Sequence, residues 1–74
     1  MKIHQLLKKI NLFTLIEIVD TRRRRIFYGA VHEISRDEWN ILTNLNVIEI
    51  NPFLAEIREG QFKSAIQIYV SPLD

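Results

Sequence analysis

The sequence predicts a single α+β domain over residues 1–74, built in the order αββαββ, with a four-stranded antiparallel sheet and two short helices packed on one of its faces. Three observations lead there. Twelve isoleucines against three alanines favour β-structure, because branched side chains fit a pleated surface and lose rotamer freedom in a helix. Helical spacing of apolar residues precedes the first strand-like run, and a helix-start signal precedes the third. Turn residues join the four runs in pairs, so each helix introduces a hairpin.

Ile3, Leu6, Leu7 and Ile10 fall at i, i+3, i+4 and i+7, with His4, Gln5, Lys8 and Lys9 on the opposite side, and predict a short amphipathic helix that Asn11 stops. From Leu12 to Asp20 the pattern becomes LFTLIEIVD, apolar or β-branched on both faces, which predicts a central strand. Asp20-Thr21 opens a polar turn, and Ile26–Ile34 predicts a second strand returning antiparallel. Ser35-Arg36-Asp37-Glu38 has the spacing of a capping box, in which Ser35 accepts from the Glu38 amide while the Glu38 carboxylate reaches back to the Ser35 amide. Ile34 and Trp39 flank that cap at the positions of a hydrophobic staple, and the second helix is predicted from about Arg36 to Asn44.

Val47–Ile50 predicts a third strand, and Asn51-Pro52 then removes a ladder donor, so this strand is bent, broken or at an edge, with Leu54–Arg58 left to resume it. Glu59-Gly60 supplies a turn. Phe62, Ser64, Ile66, Ile68 and Val70 then alternate with Lys63, Ala65, Gln67 and Tyr69 in a fourth strand. Gly29, inside a strand, marks a place where another group approaches closely, and Trp39 is the expected neighbour.

An amino-terminal amphipathic helix, a strand ending Glu-Ile-Val-Asp, a charged turn and Ile-Phe-Tyr-Gly-Ala-Val-His-Glu-Ile together resemble a class of small phage and prophage proteins of Gram-positive bacteria, over residues 2–34 and more loosely the final strand. Members of that class are mostly of unknown function and share no catalytic motif. The resemblance implies an accessory role in the cytoplasm of a bacterial host cell. The arginine quartet departs from the mixed-charge turns usual in the class.

Several chemistries lack their residues. Only two glycines exist, so no glycine-rich loop can present several amides to a nucleotide. With no cysteine there is no disulfide or thiolate site, and the two histidines make a poor metal site without a third placed ligand. His32-Glu33 begins like the zincin motif, but Arg36 stands where its second histidine belongs. Ser35 is accounted for as a cap, and Asp37 and Glu38 suit the positive end of a helix. No apolar run approaches the length of a membrane span, and no signal peptide is predicted. The expectation is a non-enzyme with no cofactor.

The net charge is +1, yet residues 1–25 carry seven Lys/Arg against Glu17 and Asp20, while the remainder carries three against seven carboxylates. Arg22, Arg23, Arg24 and Arg25 form the core of the basic half, with Tyr28 beside them. Side chains alternate along a strand, so at most two of the four share a face on a regular ribbon, which makes a fork rather than a plate. These five residues are the candidate partner- or phosphate-binding site. The function expected is that of a non-catalytic accessory protein acting by protein–protein contacts, as inhibitor or adaptor of a host protein or as a self-assembling module. The alternative is weak nucleic-acid binding by the arginine turn. A thin isoleucine-rich core with open strand edges also predicts a homo-oligomer.

Overall fold

The computed structural model describes residues 1–71. Its elements are α1 (Ile3–Leu7), β1 (Leu15–Asp20), β2 (Arg25–Ala30), a 3₁₀ turn (Val31–Glu33), α2 (Arg36–Leu42), β3 (Val47–Arg58) and β4 (Gln61–Val70). The strands form one sheet in the order β2-β1-β4-β3. Thus the fold is α+β with two short helices and four strands, and two expectations need correction.

The sheet is mixed, not wholly antiparallel. Each hairpin is antiparallel, but β1 and β4 lie side by side in parallel, with Leu15 opposite Ala65 and Asp20 opposite Val70. The cause is the connection between the hairpins. Residues 31–46 carry the chain through α2 back along the sheet, so β3 sets off in the same direction as β2, and β4 then runs with β1. The order αββαββ is also interrupted. The expected strand Ile26–Ile34 ends at Ala30, where Val31–Glu33 wind into a 3₁₀ turn because the Glu33 carboxylate accepts the Ala30 amide at 2.9 Å. Likewise β1 starts at Leu15 rather than Leu12, since the Asn11 side chain accepts from the Phe13 amide at 2.8 Å and holds residues 11–14 in a turn.

Alternation sends Ile16 and Ile18 of β1, Phe27 of β2, and Ile68 and Val70 of β4 to one face, where Ile3 and Leu7 of α1 and Leu42 of α2 meet them in a single buried cluster. At five residues α1 is too short to stand alone. Tertiary bonds hold it: the Ile3 amide donates to Leu45 O at 2.9 Å, the Val47 amide to Met1 O at 2.8 Å, and His4 Nδ1 to Thr43 O at 2.8 Å. The capping box of α2 is formed, with Ser35 Oγ accepting the Glu38 amide and Glu38 Oε1 accepting the Ser35 amide, both at 3.1 Å. Ile34 and Trp39 are half-buried against the core.

Pro52 does not break β3. The strand is continuous and lies at the sheet's edge, where a missing amide donor is tolerated. Gly29 sits at φ 154, and a Cβ there would meet Phe27 Cζ at 3.3 Å and Glu33 Oε1 at 3.6 Å. The close neighbours are therefore the Phe27 ring and the Glu33 carboxylate, not Trp39.

Candidate functional site

The arginine run is an ordered turn, and Asp20 orders it. Its carboxylate is buried, with 6% of the residue exposed, and Oδ1 accepts the amides of both Arg22 and Arg24 at 2.9 Å. The Asp20 backbone closes the same turn, accepting from the Arg23 amide and donating to Arg24 O, each at 3.0 Å. Inside that loop Arg23 adopts φ 65, a left-handed conformation costing a residue with a Cβ about 1 kcal/mol, which the surrounding hydrogen bonds hold in place.

A bulge then decides where Arg25 points. Ile18 pairs with Phe27 but Val19 pairs with Arg25, so Ile26 is an extra residue on β2. Ile26 joins the core beside Phe27, and Arg25 is turned to the helix-free face with Tyr28. On an unbulged strand Arg25 would share the face of Phe27.

On the helix-free face, Tyr28, Glu17, Gln67 and Asn51 form one register row across all four strands, and Val19, Tyr69 and Glu49 lie in the next, beside Arg25. Arg25 is engaged within it, though its side chain stays 60% exposed. Its Nη2 lies 2.8 Å and its Nε 3.0 Å from Glu17 Oε2, and its guanidinium carbon stands 4.7 Å from the centroid of the Tyr28 ring. Gln67 Nε2 donates to the other Glu17 oxygen at 2.7 Å, so a half-buried carboxylate in an apolar strand has both oxygens satisfied.

The remaining arginines are differently placed. Among the described residues Arg22 and Arg23 have no ion pair, and Arg24 Nε reaches Asp20 Oδ2 only at 3.9 Å, with its side chain 70% exposed. Arg23 and Arg25 border a shallow depression of 510 Å³ on the helix-free face with Glu17, Val19, Gln67 and Tyr69. Arg22, Arg24 and Arg25 border a second of 220 Å³ beside Asp20 and Ile26. The five sequence-predicted residues are thus adjacent, but they do two jobs. Arg25 and Tyr28 stiffen the sheet face, while Arg22, Arg23 and Arg24 stand clear as a three-pronged cationic fork.

Asp20, Glu17 and Gln67 were not among the sequence-predicted site residues. Glu17 carried a readable signal, because a single carboxylate inside an otherwise apolar central strand requires a partner. The two histidines have local packing roles: His4 donates to a backbone carbonyl, and the His32 ring meets Phe13 edge-on at 5.2 Å. Among the described residues no helix is long and apolar enough to cross a membrane. Comparison of the chain with known protein families, with curated proteins and with solved structures finds no match.

Proposed function

We propose that this protein is a non-catalytic recognition module acting by protein contacts, an accessory protein of the bacterial cytoplasm in which Arg22, Arg23 and Arg24 meet an acidic surface on a host protein. The observation that carries the reading is the ordering of the turn by Asp20. Three guanidinium groups are held out on a fixed backbone without strong ionic partners, so little backbone entropy is lost when a partner docks. Tyr28, Tyr69 and Gln67 supply a mixed, partly apolar surface beside the fork, of the kind found at the rim of protein interfaces.

The same geometry disfavours nucleic acid, the second reading. With Arg25 engaged by Glu17, three phosphate contacts remain, which on duplex DNA give a log–log salt slope of about −2.7 and weak, unselective binding. Glu49, exposed on the adjoining face, would repel a backbone laid across it.

The deciding variant is Arg22→Ser, Arg23→Asn and Arg24→Ser together. Asparagine suits the left-handed position, and Arg25 is left in place to keep Glu17 paired. Bait carrying the wild-type chain should capture a host protein from nuclease-treated lysate, and the triple variant should lose it while retaining the wild-type melting curve. Capture abolished by nuclease would favour the nucleic-acid reading, and equal capture by both baits would remove the fork from consideration.

A further inference from the structure

The three prongs of the fork do not serve one surface. Arg22 and Arg24 border the depression beside Asp20 and Ile26, whereas Arg23 joins Arg25 at the other, on the helix-free face. The left-handed backbone at Arg23, φ 65, separates it from its two neighbours. Glycine or asparagine adopts that conformation more readily, so an arginine there keeps a guanidinium at this depression despite a less favourable backbone.

The floor of the depression is apolar. Val19 is 7% exposed, although it faces the side that no helix covers and lies outside the core cluster. Its cross-strand neighbours are Arg25 and Tyr69, whose side chains cover it. Charges above such a floor interact more strongly than they do in open water. Arg23 has no ion pair among the described residues, and Arg25 spends Nε and Nη2 on Glu17, which leaves its Nη1 donors without a protein acceptor. Glu17 is already occupied, by Arg25 at one oxygen and Gln67 at the other. Two cations therefore border one depression with donors unused, an arrangement that an anion between them relieves.

We infer that the depression seats a single carboxylate, presented by an Asp or Glu side chain of the partner protein, between Arg23 and Arg25. This rests on reading the fork as a protein-contact surface, and it makes Arg23 the anchor within that fork. Charge selects the ligand. Two cations against the one carboxylate of Glu17 leave a single positive charge, which a carboxylate neutralises. A phosphate dianion would leave an excess negative charge beside Glu17, with exposed Glu49 next to Tyr69 adding to it. Shape selects the source, because so shallow a depression encloses too little of a free small molecule to hold it. The carboxylate arrives on a larger surface that also packs against Tyr69.

The probe is N-acetylglutamate α-amide, which carries one carboxylate, titrated into the full chain and followed by NMR on the arginine Nε–H signals. Neutral N-acetylglutamine α-amide and inorganic phosphate are titrated in parallel at matched ionic strength. The carboxylate should give saturable shifts at Arg23 and Arg25 with a dissociation constant on the order of millimolar, and the glutamine analogue should give none. Arg23→Asn, which suits the left-handed backbone, should weaken binding roughly tenfold, while Arg58→Asn, which removes the same charge from the far end of β3, should not change it. Shifts spread evenly over all four arginines, or equal losses in the two variants, would mean diffuse attraction and overturn the inference. So would phosphate bound more tightly than the carboxylate, or no saturable binding of the probe. Such a failure leaves capture of a host protein by the fork untouched, whereas a seated carboxylate with no captured protein removes the host-protein reading and keeps the site.

Discussion

Replacing Asp20 by alanine removes the one side chain that binds two amides of the arginine turn. Both bonds are 2.9 Å, and each has a carboxylate acceptor, a class worth about 1.5–3 kcal/mol per bond. Arg22 and Arg24 are themselves exposed, so water can reach their freed amides and return part of that sum. The expected loss is therefore about 2 kcal/mol rather than the full 3–6. For a domain of this size that corresponds to a melting temperature lower by about 10 °C, and to a urea midpoint lower by about 1.5 M at unchanged slope. Asp20→Asn keeps the accepting oxygen and should lose about half as much. If Asp20→Ala lies within about 0.5 kcal/mol of wild type, as ordinary surface changes do, the turn is not held by this carboxylate and the ordered fork has no basis.

Ser35→Ala should cost about 1 kcal/mol, read as a fall of about 4–8 °C in melting temperature, because the Glu38 amide loses its acceptor; an unchanged urea curve would show that the cap contributes nothing. Gly29→Ala should cost about 2 kcal/mol in urea unfolding, since its φ of 154 is strained for any side chain and the new methyl presses on Phe27; a neutral result would mean that the strand relaxes around it.

The local elements were legible because their causes are local. Ser35 and Glu38 state the start of α2, the alternation from Phe62 to Val70 states β4, and Pro52 left β3 bent, broken or at an edge, of which the continuous edge strand is the outcome. The parallel join was not legible from either hairpin, since it pairs residues far apart in sequence. Its cause was nonetheless present as the helical connection between the hairpins, which reverses the chain once more than a simple meander does. The bulge left a fainter trace. With Tyr28 on the open face and Phe27 in the core, strict alternation puts Ile26 on the open face and Arg25 in the core, a pairing of residue and environment that a one-residue bulge corrects. Strict alternation, which put at most two of the four arginines on one face but kept all four in one site, does not contain that correction, nor the tie from Arg25 to Glu17 that reduces the available fork to three.

The join between β1 and β4 also sets an order of assembly. Each hairpin closes a short loop, whereas Glu17 and Gln67 meet across 50 residues, a closure costing about 3.5 kcal/mol of chain entropy. The hairpins should therefore form early and the centre of the sheet late. Until the centre closes, the inner edges of both hairpins are open, with Ile16, Ile18 and Ile68 uncovered, which is the interval in which chains pair wrongly with one another. The arginine turn takes its ties from residues 20–24 alone, so the nascent first hairpin can already present its cations, and their like charge should oppose the approach of neighbouring nascent chains while the most apolar strands are still exposed.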